Sequence, residues 1–130
     1  MAIGEAGSLN ASTTSVGEQI TVTFIEALTE PVFAFSATAN SGTGIIIRLV
    51  DQTYDANGDT TSFSFILEEW EYQDDIHDTV ETVNWLAFEQ GVHTLADGRI
   101  VEAGTTDVSS TTRNDGDSET FSANFTFRRR

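Results

Sequence analysis

Between Phe63 and Gly91 the chain reads FSFILEEWEYQDDIHDTVETVNWLAFEQG. Apolar residues recur at every second position on both flanks of this stretch, a period that suits an extended strand and not a helix. In the first flank Phe63, Phe65 and Leu67 share one face, and Ser64, Ile66, Glu68, Trp70 and Tyr72 share the other. In the second flank Val83, Trp85 and Ala87 oppose Asn84, Leu86 and Phe88, with apolar residues on both faces, so periodicity alone leaves the phase open. The polar run from Gln73 to Asp78 joins the two. The expectation is a hairpin with a core stem and a wet, acidic, aromatic-rimmed tip.

The same alternation runs through the rest of the chain. Ile20, Val22 and Phe24 alternate with Thr21 and Thr23, and a strand follows from Val32 to Thr38. Pro31 should open that strand, where a missing N–H costs least. Ser8–Gly17 reads as loop or edge strand. Ile45–Asp51 is a further strand, and its apolar run suggests burial on both faces. Asn57-Gly58 and Asp97-Gly98 are hairpin turn signals. Ser118–Phe127 closes the chain with alternating Phe121, Ala123, Phe125 and Phe127. Nine Phe, ten Gly and a single Pro fit an all-β domain, and 130 residues suffice for one real core. The inward set expected is Ile20, Val22, Phe24, Phe63, Phe65, Leu67 and Trp85.

Charge removes several functional classes. The chain holds 21 acidic and 6 basic residues, for a net charge of −15, and three of the six Arg are its last three residues. No basic stripe exists to meet nucleic-acid phosphates. An anionic membrane surface would repel the chain, and no apolar run suggests membrane insertion. Without Cys there is no disulfide framework or thiolate metal site. His77 and His93 are the only histidines, with no HExxH spacing, and no nucleophile motif is present, so a non-enzymatic role is expected.

The opening of the chain recurs near its end. Gly4-Glu5-Ala6-Gly7 and Ile20-Thr21-Val22-Thr23-Phe24 find counterparts in Val101-Glu102-Ala103-Gly104 and Ala123-Asn124-Phe125-Thr126-Phe127. The expected organisation is one unit over residues 1–100, a partial second repeat over 101–127 supplying an extra strand, and an appended basic tail, Arg128–Arg130.

Ile20–Phe24, Pro31–Phe35, Ile47–Leu49, Phe63–Trp70 and Val83–Glu89 together resemble, in order and approximate spacing, the H-type lectin domain. The extensions around Glu68–Tyr72 and Val101–Gly104 resemble the tandem units of large secreted bacterial proteins of RTX-like or adhesin-like type. The resemblance implies an antiparallel β-sandwich of about six to eight strands. It also implies a homo-oligomer, trimeric or strand-exchanged, and a glycan or polysaccharide ligand at an extracellular or cell-surface location. Trp70 matches the Trp of a family Trp-His pair, but Glu71 follows it here. Trp70 and Tyr72 offer ring faces for a pyranose, and Asp74, Asp75 and His77 offer polar groups for its hydroxyls. Asp74, Asp75, Asp78 and Glu81 can together supply several of the six to eight oxygens that Ca²⁺ takes. The alternative is a structural, self-assembling repeat of a fibre or adhesin stalk that binds no sugar.

Overall fold

Strand β6, Glu81–Glu89, alternates between buried and solvent-facing positions along its whole length. It lies between two partners. β1, Gly4–Ala11, pairs antiparallel on one side, and β3, Pro31–Ala37, on the other. A computed structural model of the chain describes residues 2–40, 42, 44–69 and 76–106. Its second sheet is centred on β5, Thr60–Glu69, with β2, Ile20–Leu28, and β4, Ile45–Tyr54, as antiparallel neighbours. All described strands are antiparallel and no helix occurs among the described residues. The protein is an all-β, sandwich-like fold, as the alternation implied.

The two sheets are held by one apolar layer. Phe63 stands at its centre, with ring centroids 5.0 Å from Phe33, 5.3 Å from Trp85 and 5.5 Å from Phe24. Phe33, Phe35 and Trp85 come from one sheet; Phe24, Phe63 and Phe65 come from the other. Phe24, Phe63, Phe65, Leu67 and Trp85 are buried as expected, while Ile20 and Val22 are half-buried against them. The phase of β6 is also fixed: Val83, Trp85 and Ala87 face the core, and Leu86 faces out.

Three expectations change. The Phe63–Gly91 stretch is not a hairpin, because β5 and β6 are the central strands of different sheets and the chain crosses between them. Each flank already has two other partners, and burying both apolar rows against each other requires opposite sheets. Ile45–Asp51 is buried on one side only: Ile45, Ile47 and Leu49 pack on the core, and Ile46 and Val50 are exposed. Finally, the edge strand expected within Ser8–Gly17 begins earlier and ends sooner, as Gly4–Ala11 at the edge of its sheet.

Two contacts explain why that strand forms where it does. Trp85 lies across β1 so closely that a Cβ on Gly7 would sit 2.6 Å from its ring. The ladder of β2 is interrupted between Thr23 and Leu28, and the Glu5 carboxylate accepts the Ile25 N–H freed there at 2.8 Å. Within the second sheet, the Asn57-Gly58 turn joins β4 to β5 with Gly58 at φ 89°. Asp55 caps the turn; hydrogen bonds from the Asp59 and Asn57 N–H groups hold its carboxyl below the usual carboxylate range.

The chain divides into two units, Met1–Glu89 and Gln90–Arg130. In the second, β7, Gly91–Thr94, and β8, Ile100–Ala103, form the hairpin expected at Asp97-Gly98.

Candidate functional site

The inward row of β5 reads Phe63, Phe65, Leu67 and then Glu69; that of β6 reads Glu81, Val83, Trp85, Ala87 and Glu89. Three carboxylates thus fall in register with apolar side chains, and each is aimed at the rim of the sandwich. A buried carboxylate is costly unless hydrogen bonds and opposite charge replace its water.

At one rim those partners are all present. His77 has no exposed surface. Its Nδ1 is 2.9 Å from Glu69 Oε1 and its Nε2 is 3.2 Å from Glu81 Oε1, so the ring bridges the ends of the two central strands. A neutral imidazole donates from one nitrogen only. Hydrogen bonds on both sides take either the imidazolium, which donates twice, or a neutral ring that donates to one carboxylate and accepts from a protonated carboxyl on the other side. Glu81, also fully buried, accepts from the Thr38 hydroxyl at 2.6 Å and from the Asn40 N–H at 2.9 Å. The main chain of His77 is held as well. Thr13 donates its N–H to the His77 carbonyl at 2.7 Å, and its hydroxyl oxygen accepts the His77 N–H at 2.9 Å. Residues from four segments, 13, 38–40, 69 and 77–81, therefore meet in one closed network.

Glu89, at the other end of β6, has a simpler task. Its two oxygens accept the N–H groups of Thr29 and Glu30, at 2.5 and 2.9 Å, and so fix the turn from β2 to β3.

This placement corrects two expectations. His77 and Glu81 belong to the interior, not to a wet tip. Glu81 has its oxygens committed to Thr38, Asn40 and His77, which removes it from the calcium-ligand set. Among the described residues no group of three or more His, Asp and Glu side chains is placed to hold a metal ion. Asp78 is exposed. Trp70, Tyr72, Asp74 and Asp75 lie outside the described residues.

Chemically, the network is a brace. A Glu-His-Glu array has the donor and acceptor groups of an acid–base relay, and here its ring has no exposed surface. What it does is fix two points of the chain, Glu69 and His77, within one hydrogen bond of each other, and so anchor both ends of the segment carrying Trp70, Tyr72, Asp74 and Asp75.

Glu89, Thr13, Thr38 and Asn40 are not singled out by the sequence, and Glu69 stands out there only as one of the acidic residues of the Phe63–Gly91 stretch. The parity of Glu69 with Phe63–Leu67, and of Glu81 and Glu89 with Trp85, was the available signal. Comparisons of the chain with family models, with curated proteins and with solved structures return no match.

Proposed function

We propose that the chain is a non-enzymatic, lectin-like carbohydrate-binding module of a secreted or cell-surface protein, acting as a homo-oligomer. One observation carries this reading. The five sequence segments that resemble the H-type lectin domain fall, in order and as far as their residues are described, on five consecutive strands, β2 to β6, of the antiparallel sandwich. In this reading recognition rests on the segment anchored by Glu69 and His77. Trp70 and Tyr72 supply apolar ring faces for the CH groups of a pyranose, and Asp74 and Asp75 accept hydrogen bonds from its hydroxyls. His77 is then a positioning residue. Calcium, if part of the site, would be held by Asp74, Asp75 and Asp78, without Glu81.

A glycan array probed with the full chain, with and without calcium, tests the proposal. Selective retention of a defined set of glycans supports it, and a difference between the two arms assigns a role to calcium. Absence of binding in both arms, from protein shown to be folded, rejects it. The second reading is then the structural repeat, favoured by the recurrence of Glu5-Ala6-Gly7 as Glu102-Ala103-Gly104 with its first two residues again in a strand.

A further inference from the structure

The outward face of the β1-β6-β3 sheet is unlike the rest of the protein. The register places Gly4, Ala6, Ser8 and Asn10 beside Phe88, Leu86, Asn84 and Thr82, with Val32, Ala34 and Ser36 on the far side. None of these side chains is ionisable, although the chain carries 27 charged residues, 21 acidic and 6 basic. The other sheet's outward face carries Arg48 and Glu68, ion-paired at 2.7 Å, together with Asp51. On the uncharged face Leu86 is 42% exposed, and Ala6, Ser8, Ala34, Ser36 and Asn84 are exposed around it. Its polar residues already pair across the strands, Thr82 with Asn10 and Asn84 with Ser36, at 3.1 and 3.3 Å.

We infer that this face is where a second copy of the chain docks, sheet against sheet. Charge selects that occupant. Two molecules of net charge −15 repel wherever their acidic surfaces approach, and least where neither presents a charge. A basic partner would be drawn elsewhere on the molecule, to the carboxylates. The small side chains of β1 and β3 leave a level surface, suited to the spacing of about 10 Å at which sheets stack. A two-fold axis near the middle of β6 sets Leu86 and Asn84 of one copy over the same strand of the other, an isologous contact that closes as a dimer. Three strands about 4.8 Å apart, seven residues long at roughly 3.4 Å each, give on the order of 350 Å² in projection. A stable interface buries about 800 Å² per partner, so the dimer is weak and concentration-dependent. The inference stands independently of sugar binding, and it differs from strand exchange through the C-terminal repeat.

Sedimentation velocity of the full chain from micromolar to millimolar concentration, at low and high salt, tests it. The expected result is a mass that rises from 14.1 kDa toward twice that value, and rises further when salt screens the repulsion. Leu86→Glu, and separately Ala34→Asp, should hold the protein at monomer mass throughout, with unchanged melting temperatures. A mass independent of concentration overturns the inference. So does association that both variants retain, or association that salt weakens, which would mark a charge-paired interface.

Discussion

The sequence Glu-Ala-Gly occurs in two settings. In β1 it lies beside the nine-residue β6, with Glu5 opposite Ala87 and Gly7 opposite Trp85. In β8 and just after it, Glu102 and Ala103 pair with the four-residue β7, opposite Val92 and Gly91, and Gly104 follows. The first glycine is pressed by an indole; the second has open space where a Cβ would point. The first glutamate reaches across to the Ile25 N–H. The segment that begins with the first copy ends by closing over His77 through Thr13. Strand formation is therefore common to both copies, while among the described residues only the first glycine is pressed by a neighbouring side chain. The motif encodes an extended chain; its packing role comes from the strand it meets.

This contrast can be broken at graded cost. The largest effect is expected at His77. His77→Ala leaves Glu69 and Glu81 facing each other without the ring between them, and removal of one partner from a buried charged group costs about 3–5 kcal/mol. Chemical denaturation of the variant reads this directly; a loss under 1 kcal/mol would mean the network does not brace the fold. Next is Gly7→Ala. The added methyl must displace the Trp85 ring, and overpacking of this kind costs roughly 1–3 kcal/mol. Glu5→Ala withdraws the acceptor from an N–H beside solvent, for which about 1 kcal/mol is expected. Gly104→Ala should lie within about 0.5 kcal/mol of the parent, as for surface changes that touch nothing. A Gly104→Ala penalty equal to that of Gly7→Ala would show that the two copies make the same contacts.

The readable parts of the fold were those set by side-chain alternation. The Phe24, Phe63, Phe65 and Trp85 core, the Pro31 strand start and the turns at Gly58 and Gly98 follow from local rules of burial and backbone conformation. The crossing from β5 to β6 was not readable, since two alternating flanks joined by a polar run have the same pattern whether they pair with each other or with different strands. The brace was hidden for another reason. Charged residues near a polar run are ordinarily solvated, so nothing local in the sequence marks Glu81 and His77 as interior. Their burial depends on Thr13, Thr38 and Asn40, which arrive from distant parts of the chain and supply the hydrogen bonds that make an interior carboxylate tolerable. Of the residues proposed for recognition, Trp70, Tyr72, Asp74 and Asp75 are indicated by their chemistry in the sequence, and the structure adds the hydrogen bond between Glu69 and His77 that flank them.

That division between a braced frame and a recognition segment is the central claim, and Trp70→Ala tests it most directly when glycan binding and thermal melting are measured on the same preparation. Binding is expected to be lost while the melting temperature stays close to that of the parent. Retained binding, or a variant that loses binding only because it unfolds, would contradict it.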